Sequence, residues 1–145
     1  MFTLRTAVMG ALLMAAATSA FAADFPKGPA NQKEAEAQGL ERVGIDGLKQ
    51  FIPGVNASRS FKGAKHKLTF NPDGSVHRTG IGDMEQTGKW NFDEQENAYC
   101  LAFQMKKGYE KNCYAVFRAT DGITYFDYDI ESGFYAHAWR RAKKE

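Results

Sequence analysis

The chain has little cysteine, little proline and no long apolar stretch. Two Cys and four Pro occur in 145 residues, too few for a thiolate metal cluster or a proline-rich spacer. Neither charge sign dominates, since 19 Lys and Arg stand against 17 Asp and Glu. That balance excludes the broad positive field on which nucleic-acid affinity rests, so no nucleic-acid partner is expected. The one tight basic run, Arg140, Arg141, Lys143 and Lys144, reads as a solvated end. Glycine-rich phosphate loops are missing, and no Ser stands in a Gly-x-Ser-x-Gly elbow. No catalytic residue set, metal or cofactor is therefore expected, and the chain does not read as an enzyme.

The longest apolar run is Ala7 to Ala17, 11 residues of Ala, Val, Met, Gly, Leu. Spanning a bilayer takes about 20 apolar residues. Arg5 precedes the run and Thr18-Ser19-Ala20-Phe21-Ala22 follows it, the three parts of an export signal with small residues at the cleavage site. Residues 1–22 are expected to be removed before Ala23, leaving no membrane span and a periplasmic or secreted protein. In such a compartment an even number of Cys points to a disulfide. If Cys100 faces Cys113 across an antiparallel pair, Ala102 faces Lys111 and Gln104 faces Tyr109, and Met105-Lys106-Lys107-Gly108 forms the loop. A bond closing this loop stabilises by about 3 kcal/mol on the chain-entropy model. The redox alternative wants Cys-x-x-Cys beside a helix, which is not present.

What is abundant is aromatic area: 11 Phe, 6 Tyr and 2 Trp, enough for a real core. Residues 23–44 mix Pro, Gly, Asn, Lys and Glu and read as a flexible, poorly packed leader. A single β-domain is expected over residues 45–145. It opens on a short helix at 46–52, where Leu48, Phe51 and Ile52 have i, i+3, i+4 spacing, Asp46 can cap the start and Pro53-Gly54 stops it. From Ser58 onward the period changes to two. Candidate strands run over 58–62, 65–70, 75–80, 86–92, 99–104, 109–119, 123–130 and 134–140, separated by turn residues such as Asn71-Pro72-Asp73-Gly74 and Asp121-Gly122. About eight short strands joined by tight turns predict an all-β, antiparallel up-and-down meander. It would form a small barrel or a strongly curved sheet. Both faces of the cysteine hairpin carry apolar residues, so it is either covered on both sides or changes facing at a bulge.

Three candidate chemistries remain. Asp127, Asp129 and Glu131 are spaced for a calcium loop, but Ser132 and Ala138 occupy the places of its Gly and its final acid. On a strand the three acids are expected to share one solvent face. His66 and His77 are expected on an exposed sheet face, as two imidazoles without a third ligand make a poor zinc site. His137 differs, because Tyr135 and Trp139 flank it on what reads as the same face, the pattern of a pocket as well as of a core edge. Trp90, Tyr125, Tyr128, Tyr135, His137 and Trp139 are the expected lining of any ligand site.

Gly63, Phe70-Asn71-Pro72-Asp73-Gly74, Gly88-Lys89-Trp90, Tyr99-Cys100-Leu101 and Cys113-Tyr114-Ala115-Val116 follow a signal and a short helix in that order. In this the chain resembles a family of small exported bacterial proteins, similar in outline to lipocalin-like β-domains. The resemblance covers roughly Leu48 to Tyr128. It implies a meander and a single disulfide, and it carries no activity. The expected function is a non-catalytic exported domain binding a small apolar or aromatic ligand or an envelope protein. The alternative is a secreted inhibitor or regulatory module acting through its loose leader.

Overall fold

The computed structural model describes residues 25–61, 64–81 and 84–142. The expected export signal lies outside these, as do Gly63, Lys143 and Lys144. In chain order the elements are α1 (Gln32–Ala37), β1 (Glu41–Arg42), α2 (Ile45–Phe51), β2 (Asn56–Phe61), β3 (Ala64–Phe70), β4 (Ser75–Ile81), β5 (Met84–Asp93), β6 (Ala98–Met105), β7 (Gly108–Arg118), β8 (Thr124–Asp129) and β9 (Tyr135–Arg141). From β2 to β9 each strand pairs antiparallel with the next. β9 then returns to β2, from Ala57↔Arg141 to Ser60↔Ala138. The meander is thus a closed eight-stranded barrel, which removes the free edges an open sheet would carry. β1 adds a short pairing to the far end of β7, Glu41↔Arg118 and Arg42↔Phe117. Among the described residues no helix is long and apolar enough to cross a membrane.

The turns form where turn chemistry lies in the sequence. Gly74 takes φ 88°, and the Asp73 carboxylate accepts from the Ser75 backbone N–H (2.8 Å) and hydroxyl (2.7 Å). Asp121-Gly122 is not a two-residue hairpin. Ala119 N–H donates to the Thr124 carbonyl at 2.8 Å, so the loop is residues 120–123. The Asp121 side chain holds it by accepting from Ile123 N–H and from the N–H and hydroxyl of Thr124.

Cys100 and Cys113 are bonded, with Cα atoms 4.0 Å apart. Their hairpin has the expected register, Ala102↔Lys111 and Gln104↔Tyr109. One further pair, Met105↔Gly108, tightens the loop to Lys106-Lys107, with Gly108 at φ 118°.

Helix α2 plugs one end of the barrel. Leu48 and Ile52 are fully buried, each burial contributing about 1.5–3 kcal/mol. Phe51 stacks on Tyr125 (5.3 Å) and Trp139 (5.7 Å). Asp46 lies in the first turn and is not the cap. The cap position is Gly44, and the Ile45 N–H donates instead to Asn97 Oδ1 from the β5–β6 turn at 3.1 Å.

The leader is docked, contrary to the expectation for residues 23–44. Its described part runs along the outer face of β7–β9, where Ala115, Phe117, Phe126 and Tyr128 form an apolar strip covered by Ala35, Phe25 and Leu40. Tyr128 hydroxyl donates to the Pro29 carbonyl at 3.0 Å. Asn31 caps α1 by accepting the Glu34 N–H at 2.9 Å. An apolar outer strip left in water would be costly, and the leader removes it from solvent. Of the cysteine hairpin, β7 is thus covered on both faces, which accounts for its double apolar pattern.

Candidate functional site

At the end of the barrel opposite α2 lies a cavity of about 350 Å³. Inward positions come at every second residue of each strand. They place Arg59 of β2, His66 of β3, Arg78 of β4, Phe103 of β6, Tyr114 of β7 and His137 of β9 on its wall.

The floor of the cavity is polar and buried. Asp127 is 0% exposed, Arg59 2% and His66 4%. Asp127 Oδ2 accepts the Tyr99 hydroxyl at 2.5 Å, and Oδ1 accepts the Trp139 indole N–H at 2.8 Å. Arg59 Nη2 stands 4.0 Å from Asp127 and donates to the His137 ring, and its guanidinium lies 5.0 Å from the Tyr114 ring centroid. Arg59 Nε and His66 Nδ1 are buried without a hydrogen-bond partner. Such unsatisfied groups are uncommon in native interiors.

Electrostatics follow from that burial. Desolvation raises the Asp127 carboxyl to about 6, against the pull of Arg59, Tyr99 and Trp139. Burial, with Arg59 and Arg78 nearby, brings His66 down to about 4 and His137 further still, with His66 adding to the effect. Burial also works to lower Arg59, but Tyr99, Asp127 and Tyr114 outweigh it and the net direction is up. At neutral pH the histidines are neutral and the arginines charged. Perturbed groups clustered on a concavity mark a functional-site candidate.

Of the six residues expected to line a ligand site, His137 alone lines this cavity. Trp90 faces inward nearer the plug, with its indole N–H on the Asn71 carbonyl (2.9 Å) and its ring edge-on to Phe70. Tyr125 and Trp139 stack at 4.6 Å beneath Phe51. Tyr128 and Tyr135 lie outside the barrel, in the strip under the leader. Tyr135 does not share a face with His137, because the β8–β9 register shifts between Asp127↔His137 and Tyr128↔Tyr135. That bulge turns Ala136 onto the cavity wall.

The acid series also separates. Asp127 is inside, whereas Asp129 accepts from the Ser132 N–H and hydroxyl, both at 2.8 Å, at the mouth, and Glu131 is exposed in the turn. The expectation of one solvent face does not hold, since Tyr125 and Asp127 both follow the inward period. His66, expected on an exposed face, is inside too, while His77 is outside beside Thr87 (3.3 Å). Among the described residues no group of three His, Cys, Asp or Glu could hold a metal. Sequence reasoning missed Arg59, His66 and Arg78 as cavity residues. Their strands carry few large apolar neighbours, and the available signal was the two-residue step from Ala57 to Arg59 and from Leu68 back to His66.

What the arrangement offers is a pocket with fixed cations on its wall, two neutral imidazoles and an aromatic side. Comparisons with protein-family models, with curated proteins and with solved structures find no match to this chain.

Proposed function

We propose that this protein is an exported, non-catalytic barrel that binds a small molecule in the cavity at its mouth. One observation carries the reading. The barrel is plugged by α2 at one end, and at the other it keeps about 350 Å³ open above buried Arg59 and His66. That size lies within the range of small-ligand pockets, roughly 300–1,000 Å³. Export is supported by the signal pattern of residues 1–22 and by the disulfide, a bond favoured in oxidising compartments. The alternative of an inhibitor acting through a loose leader loses its support, because residues 25–38 are docked on the outer strip. A protein partner is less favoured: of the exposed large apolar residues, Met105 and Tyr109 flank the β6–β7 turn, Phe134 lies in the β8–β9 turn and Ile123 in the β7–β8 turn at the other end of the barrel.

Native mass spectrometry of protein taken from the envelope of its producing cell tests the reading. Wild type is expected to retain a small-molecule adduct, and Ala136→Trp, which fills the cavity from the bulge, to lose it. An adduct equally abundant in both proteins, or none in either, would overturn the proposal.

A further inference from the structure

Resting on that reading of the mouth, the structure assigns the ligand a class: a small amphiphilic anion, its acidic group held by Arg78 in the field of buried Arg59 and its planar or apolar body laid along Leu101, Phe103 and Tyr114. Arg78 is half-buried, donates from Nε to the neutral Gln86 amide oxygen (2.9 Å) and lies 4.0 Å above the Phe103 ring centroid. Among the described residues no carboxylate comes within ion-pair distance of it. Arg59 faces Asp127 only at 4.0 Å, and the two Asp127 oxygens are held by Tyr99 and Trp139. Arg59 thus keeps a charge incompletely matched within the protein. An anion at the mouth gives Arg78 charge-assisted hydrogen bonds, which are stronger than neutral ones, and lies in the field of Arg59.

The cavity's own acids do not fill that role. Asp129 is engaged with Ser132 in the turn. Glu110, exposed on the rim, acts on Arg78 through space without coming within ion-pair distance, and accepts from Asn112 Nδ2 at 3.1 Å. A cationic ligand would meet two arginines, and a wholly neutral apolar one would leave Arg78 without a charged partner. Size bounds the ligand as well: a cavity of ~150 Å³ holds benzene, so about 350 Å³ accommodates a molecule of roughly a dozen non-hydrogen atoms.

The test uses the full exported chain and three probes of one shape, cinnamate, cinnamamide and cinnamylamine, titrated while backbone amide shifts of β4, β6 and β7 are followed by NMR. Cinnamate is expected to bind at least ~10-fold tighter than cinnamamide, a gap of about 1.4 kcal/mol, with cinnamylamine weakest. Arg59 variants disturb the barrel interior, so the discriminating variant is Arg78→Gln, at the half-buried mouth. It is expected to bring the cinnamate-to-cinnamamide ratio near one. Equal affinities in wild type, or cinnamylamine binding tightest, with shifts at the mouth, would overturn the anion assignment and leave the ligand-binding reading standing. No shift at the mouth with any probe would count against both.

Discussion

Replacing Asp127 by Ala tests the physical basis of the polar floor. The side chain accepts from Tyr99 (2.5 Å) and Trp139 (2.8 Å) and faces Arg59 at 4.0 Å. Without it Arg59 stays charged and 2% exposed, and two buried donors lose their acceptor. Breaking a buried pair by removing one partner costs about 3–5 kcal/mol, a large part of the roughly 5–15 kcal/mol that holds a domain folded. Urea unfolding followed by the fluorescence of Trp90 and Trp139, both inside the barrel, reads this directly. With a slope of about 1–3 kcal/mol per molar urea, the midpoint should fall by roughly 1–5 M. Asp127→Asn keeps an acceptor oxygen and should cost less than Asp127→Ala. The double variant Arg59→Met with Asp127→Leu should recover at least half of the loss, because it removes the buried charge instead of orphaning it. A cost under about 1 kcal/mol for Asp127→Ala, or a double-variant cost equal to the two single costs added, would refute the coupling.

Acidification should destabilise the fold. His66, held down at about 4, and His137, lower still, stay neutral when folded but protonate in the unfolded chain near 6.5. Their stabilisation is therefore present above 6.5 and lost as pH falls. Asp127, raised to about 6, takes up its proton earlier in the folded state and opposes this between about 6 and 4. The unfolded state then binds about one proton more in that window, so stability falls by at most ~1.4 kcal/mol per pH unit. His66→Gln should flatten the profile; urea midpoints that rise on acidification would contradict the assignment. Reducing the Cys100–Cys113 bond, or replacing both by Ser, should cost about 3 kcal/mol, seen as a lower melting temperature with an unchanged circular dichroism spectrum. Gly88→Ala should destabilise and displace Phe103, because a Cβ there would meet the Ala102 carbonyl oxygen at 2.4 Å and the Phe103 ring at 2.7 Å. Wild-type stability in that variant would show that the β5–β6 contact is looser than described.

Local patterns made most of the architecture readable. Period-two alternation located eight strands, turn residues such as Pro72 and Gly74 placed their connections, and the cysteine spacing set the register of β6 against β7. The helix at Leu48 was legible for the same reason, since its spacing is a property of consecutive residues. The cap was not, because Asn97 reaches Ile45 from a distant turn.

The candidate site was far less readable. In Asn56-Ala57-Ser58-Arg59-Ser60 the sequence shows small and polar residues on both faces, so nothing local says that Arg59 points inward. Tyr135 was placed with His137 by counting twos, and a single extra residue at the bulge reverses that. Asp127 alternates with Phe126 and Tyr128, and the phenylalanine strip looks like the core until the leader is seen lying over it. Alternation along a strand defines two faces and orders their residues. Which face becomes the inside depends on the closure of β9 onto β2, on the segment that covers the outer strip, and on one shift of register, all contacts between residues far apart in the chain. The polar floor exists because ring closure brings Arg59, His66, Tyr99, Tyr114, Asp127 and His137 from six strands to one level, a convergence that no single strand encodes.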